Sequence, residues 1–203
     1  MESPISLWHG TQGFKRGAAI GALILTFAGA AWAVAGLVNW PGTPVWEFGF
    51  VAVPVLALTG LSISRLVAVA ALPSPQVPDA EAAENARRGR RIGLLFGAVF
   101  TVEMLLIALA AILLSSAGRP LLIPVAVAAI VGVHFLPLAT IFHVRTYGIA
   151  GLLLIGASLG SLFVPDEPTR VYVLALMVAM VLWASAGTVL AMHTGRQSVT
   201  GAT

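Results

Sequence analysis

The sequence predicts an all-α, polytopic membrane protein with six transmembrane helices, and three observations carry that prediction. First, the 203-residue chain is 59% hydrophobic and only 9% charged, with a mean hydropathy of +0.97. A soluble domain of this size cannot cover so much apolar surface with so few charges, so lipid is the solvent for most of it. Second, the apolar residues fall into six runs, at 17–38, 47–71, 92–115, 121–143, 147–164 and 171–192. Their lengths lie in the range of roughly 17 to 25 helical residues that crosses a bilayer. Third, the cations lie between the runs. The net charge of +3 and pI near 10.2 therefore read as topology signals rather than a nucleic-acid footprint, and no nucleic-acid partner is expected.

The first run follows Lys15-Arg16 and contains Ala31-Trp32-Ala33, which superficially resembles a signal peptide. It is long enough to span, so it is expected to be a mature membrane helix. Gly17, Gly21, Gly29 and Gly36 in this run, and Gly148, Gly151, Gly156 and Gly160 in the fifth, supply small positions for close helix packing. Between the first two runs, "NWPGTPVWEFG" places Asn39, Trp40, Trp46 and Glu47 in a turn rich in Pro and Gly. That composition fits an interfacial anchor or an outer entrance.

The longest connection, 72–91, lies within a single domain covering 1–203. Pro73, Pro75 and Pro78 make an extended turn, Asp79 is placed to cap the Ala/Glu-rich section after it, and Glu84 and Arg88 have the favourable four-residue order. A short cytoplasmic helix feeding the third crossing is expected. Its cluster of Arg87, Arg88, Arg90 and Arg91 is a topology anchor or an anionic-lipid contact.

Counting Lys and Arg across alternate connections sets the direction. With the N-terminus inside, Lys15, Arg16, Arg65, Arg87, Arg88, Arg90, Arg91, Arg145 and Arg196 fall on the inner side, against Arg119 and Arg170 outside. Both termini are therefore expected in the cytoplasm. Two groups of three crossings have the parity of an inverted repeat, although no sequence repeat is visible.

Glu103 is the strongest functional signal. It lies about 11 residues into the third run, hence roughly 16 Å deep at the helical rise, where an isolated carboxylate is expensive. His134 lies about nine residues before the inner end of the fourth run, roughly 13 Å deep. The two helices run in opposite directions, so the two side chains share a depth and are able to face each other. Each also has a plain reading, as a neutral group hydrogen-bonded between helices. Pro137, three residues after His134, removes a backbone donor and crowds the carbonyl of Val133. Pro54 and Pro124 are candidates for similar bends. Trp183, well inside the sixth run, needs a partner for its indole N–H if buried. His143, Arg145 and Tyr147 form an inner interfacial group or entrance, and Arg65 is expected to snorkel to the same side. His134 and His143 are about two and a half turns apart, too far for one compact metal site, and no metal or cofactor is expected.

The segment "HFLPLA", followed by Phe142 and Tyr147, resembles an uncharacterised family of small bacterial multispanning membrane proteins with a His-Phe-x-Pro-Leu type helix. The matching positions are His134, Phe135, Pro137 and Leu138. The resemblance implies a bacterial inner or plasma membrane location and no particular activity.

The leading functional reading is a small transporter or channel-like protein, proton- or cation-coupled through Glu103 and His134. The alternative is a membrane sensor or binding subunit for a small ligand or lipid. A membrane enzyme ranks third, because HExxH, P-loop and GxSxG motifs are absent and the chain has no cysteine. The expected partners are membrane lipids, a proton, cation or small molecule, and a second copy in a homodimer.

Overall fold

The computed structural model describes residues 12–40, 42–72 and 79–191. Six α-helices account for most of them: α1 (Gln12–Asn39), α2 (Glu47–Ala70), α3 (Asp79–Ser116), α4 (Ile123–Phe142), α5 (Arg145–Ser161) and α6 (Glu167–Ala191). A 3₁₀ turn, Pro120–Leu122, leads into α4. Helices satisfy their own backbone groups, which is why a chain this apolar adopts them throughout. Five of the six are long and apolar enough to cross a membrane, and α5, with 17 residues, is the exception.

Four of the connections are made by specific local devices among the described residues. Asn39 Nδ2 donates to the Ala35 carbonyl (2.6 Å), and the Thr43 hydroxyl lies 2.7 Å from the Leu37 carbonyl and 2.9 Å from that of Trp40. These contacts close the α1–α2 turn around Gly42, whose φ of +79° suits a residue without Cβ. At the end of α3, Gly118 N–H donates to Ser115 (3.1 Å) and Arg119 N–H to Leu114 (2.8 Å), with Gly118 at φ +70°. That is a Schellman cap. The end of α4 is similar, with Val144 N–H donating to Ala139 (3.2 Å), but its left-handed residue is His143, at φ 55°. Asp166 caps α6, accepting from the Thr169 N–H (2.9 Å) and from the Thr169 hydroxyl.

These devices shift the boundaries expected from hydropathy. The helix expected to feed the third crossing is continuous with it: α3 runs unbroken for 38 residues. Ala, Glu and Arg are strong helix formers, and neither Gly89 nor Gly93 interrupts them. The expected Glu84–Arg88 pair is present at 3.6 Å. Pro73, Pro75, Pro78, the side chain of Asp79 and Arg196 lie outside the described residues. Pro124 falls in the first turn of α4, where it disturbs no helical hydrogen bond, so it does not bend the crossing. Pro54 and Pro137 are interior to α2 and α4.

The chain packs as two compact units, residues 1–72 with 178–203, and residues 73–177. In the first, α1 presents Ala22, Thr26, Gly29 and Ala33 on a buried stripe. Gly29 meets Trp183 of α6, where an added Cβ would stand 2.6 Å from the indole nitrogen. In the second, α4 and α5 form an antiparallel hairpin closed by the two-residue turn His143-Val144. Gly132 and Gly151 make the close crossing: a Cβ on Gly151 would lie 2.6 Å from the Gly132 carbonyl, and one on Gly132 would lie 2.9 Å from the Gly151 carbonyl. Ser158 donates to the Val125 carbonyl (2.7 Å) nearer the start of α4. The pairs 125/158, 132/151 and 135/147 keep one antiparallel register along most of α4. Of the expected small positions, Gly29 and Gly151 are tightly packed, whereas Gly17, Gly156 and Gly160 have nothing within 4 Å of a Cβ.

Candidate functional site

Within the second unit, α3 and α4 bring Glu103 and His134 together. Glu103 Oε2 is 3.1 Å from His134 Nδ1, and the side chains are 8% and 9% exposed. Among residues 83–116, Glu103 alone is buried. This inverts the usual preference, since the one buried side chain in that stretch is a carboxylate. The separation is ion-pair distance, yet Nδ1 lacks a directed hydrogen bond among the described residues. The Val99 backbone, one turn before Glu103, also approaches the imidazole.

Helical spacing explains why these groups meet. Val99 and Glu103 are four residues apart on one face of α3, and His134 projects from α4 beside Gly132, which itself faces α5. The same α3–α4 seam continues in aromatic contacts. Phe96 lies 6.2 Å from Phe142 between ring centroids and 6.3 Å from Phe100. Phe142 and Phe135 each meet Tyr147 edge-on, at 6.2 and 5.8 Å, and Phe135 abuts His134 at 6.2 Å. Phe96 is seven residues from Glu103 and Phe142 is eight from His134, so the aromatic group lies roughly 10 to 12 Å along the helices from the acid–imidazole pair. These ring contacts lie towards the C-terminal end of α4.

Pro137 supplies no N–H, so the Val133 carbonyl, adjacent to His134, lacks its ordinary intrahelical donor. The carbonyl of Pro137 itself accepts from the Thr140 hydroxyl (2.7 Å). His143 and Arg145 are exposed around the following turn, while Tyr147 is partly buried in the aromatic group. The three residues expected at one entrance therefore differ in environment, and Tyr147 alone is built into the seam.

The remaining candidates lie in the other unit. Trp183 Nε1 donates to the Thr26 carbonyl (3.1 Å), and the fully buried Thr26 hydroxyl donates to Ala22 (2.7 Å). Trp183 thus has the partner a buried indole needs. Trp46 is 64% exposed and packs edge-on against Phe50 at 5.6 Å. Trp40 ends the α1 connection, Glu47 begins α2, and Arg65 is partly buried near the other end of α2. The aromatic seam and the Gly132–Gly151 crossing were not among the expected site features. The four-residue Phe96–Phe100 spacing in register with Glu103 was their available signal.

Together these features define a polytopic all-α membrane protein with a buried histidine–glutamate pair between two of its helices. The chain belongs to a family of unknown function, DUF7010, which matches residues 84–192 and so includes both members of the pair. No curated protein and no solved structure matches it.

Proposed function

We propose that the protein is a small transporter or channel-like protein that moves a proton, or a cation exchanged for one, through Glu103 and His134. The observation that carries this reading is their 3.1 Å approach with both side chains less than one tenth exposed. A proton on Oε2 leaves both groups neutral, and the same proton on Nδ1 makes an ion pair. The site is neutral in either arrangement, which limits the desolvation cost, and gaining or losing one further proton changes its charge by one. A purely packing contact needs no such titratable combination. The Val133 carbonyl, freed by Pro137, adds a polar acceptor next to the imidazole.

The topology we favour has six crossings in a bacterial plasma membrane, with both termini cytoplasmic. The α4–α5 register supports the sixth crossing, because α5 pairs with α4 from near its beginning to near its end. Nine of the eleven Lys and Arg residues then lie on the cytoplasmic side, as the positive-inside bias requires. Gly156 and Gly160, with no neighbour within 4 Å of a Cβ, offer close-approach positions to a second copy in a homodimer.

Proton flux into proteoliposomes loaded with a pH-sensitive dye, driven by an imposed potential, tests the function. Wild type is expected to conduct, and folded Glu103→Gln protein to lose at least about tenfold of the flux, the order of effect of deleting a proton-transfer group. Unchanged flux in both Glu103→Gln and His134→Gln protein contradicts the mechanism. Saturable ligand binding without flux favours the sensor reading.

A further inference from the structure

The first third of α3 carries a second polar feature that proton movement does not use. Arg87, Arg90, Arg91 and Leu94 line an open groove together with Ala86. Their spacing of three, four and seven residues places them on one helix face. Arg88 differs: it is drawn to Glu84 at 3.6 Å. The three groove arginines are exposed and have no carboxylate partner among the described residues. Thus three arginines share one helix face while the fourth is drawn to a carboxylate.

The position on the helix says what such a cluster meets. At 38 residues, α3 is about 57 Å long, far more than the bilayer core of roughly 30 Å. Its excess is the polar N-terminal part, and the apolar run begins at Ile92, directly after Arg91. The groove therefore straddles the level where headgroups give way to acyl chains. Leu94, 70% exposed, continues it on the apolar side. Guanidinium groups bind phosphate oxygens in paired hydrogen bonds, and the neighbouring apolar side chains receive hydrocarbon.

We propose that Arg87, Arg90 and Arg91 form a binding site for the phosphate of an anionic phospholipid, with Leu94 packing against the attached chain. Membrane-surface arginines each strengthen attachment to anionic lipid by about fivefold. The site is independent of the Glu103–His134 pair and of which side of the membrane it occupies.

The test uses the full-length protein purified in neutral detergent, with bound lipids counted by native mass spectrometry during titration. Phosphatidylglycerol is expected to bind at least tenfold more tightly than phosphatidylcholine. Arg87→Gln/Arg90→Gln/Arg91→Gln protein is expected to lose that preference, and Arg88→Gln protein to keep it. The corresponding triple Lys variant, which preserves charge and fold, is expected to retain an intermediate preference because it lacks the paired guanidinium contacts. Equal phosphatidylglycerol binding by wild type and the triple Gln variant overturns the site, as does an equal loss in Arg88→Gln protein. Inorganic phosphate is the remaining probe. Displacement of phosphatidylglycerol by micromolar inorganic phosphate overturns the assignment to lipid in favour of a soluble anion, whereas retention of the lipid supports it.

Discussion

Two polar contacts inside apolar helices are built in opposite ways, one at Trp183 and Thr26 and the other at Glu103 and His134. The indole is a fixed donor aimed at a carbonyl, 3.1 Å away, and the threonine beneath it returns its hydroxyl to its own helix at 2.7 Å. Nothing there titrates in an accessible range, and Gly29 fits the ring closely. The second contact joins two groups that both exchange protons, at 3.1 Å, and leaves Nδ1 without a directed hydrogen bond. A satisfied polar contact cements helices. An ionisable pair with unspent hydrogen-bonding capacity carries a cost in stability that simple packing would avoid, and the function we propose draws on that capacity.

The largest effects should come from separating the two functions. Glu103→Gln is expected to lower proton flux by at least about tenfold. The Glu103→Gln/His134→Gln double variant should be no worse than the poorer single variant, because the residues act as one unit. Additive losses in the flux assay would show that they act independently. Next comes the crossing that sets the register of α4. Gly151→Ala places a Cβ 2.6 Å from the Gly132 carbonyl and should cost about 1 to 3 kcal/mol in detergent unfolding, as overpacking does. Gly156→Ala, with open space around it within the protomer, should be close to neutral for unfolding of the monomer. Equal costs at both positions would show that the crossing at Gly151 is not tight.

Trp183→Phe sharpens the comparison from the other side. It keeps an aromatic ring but deletes the donor to Thr26, so stability should fall by about 1 kcal/mol while flux is unchanged. A flux loss as large as that of Glu103→Gln would show that Trp183 does more than join helices. The smallest effect belongs to the α6 cap. The Thr169 hydroxyl and backbone N–H hold the Asp166 carboxyl below the usual carboxylate range, with Arg170 adding a smaller attraction. Because its folded value is depressed, its stabilising contribution is complete above the ordinary value of 3.8 and disappears as pH falls through the lower folded one. Asp166→Ala should therefore narrow its stability gap from wild type as unfolding is measured at progressively more acidic pH.

Hydropathy was enough to find the six helices, and rise arithmetic on antiparallel neighbours was enough to place Glu103 and His134 at one depth. Faces were harder to read. In lipid both sides of a crossing are apolar, so the 3.6-residue alternation that reveals a buried face in a soluble helix is weak. Phe96 and Phe100 share a face with Glu103, but nothing marked Phe142 as their partner, and Gly151 gave no sign that it packs within the protomer while Gly156 does not. Boundaries shifted for local reasons that hydropathy ignores: an aspartate cap began α6 at Glu167, and a left-handed His143 ended α4 early enough for Arg145 to open α5. Histidine in a position that glycine fills at the end of α3 is not foreseeable from apolar pattern alone.

Whether Glu103 and His134 share a titrating proton decides the mechanism. Infrared difference spectroscopy of the reconstituted protein during a pH titration reads this directly through the carboxyl C=O stretch. One band is expected that vanishes in Glu103→Gln protein and whose midpoint moves in His134→Gln protein. A Glu103 band whose midpoint is the same with and without the imidazole would contradict a shared proton.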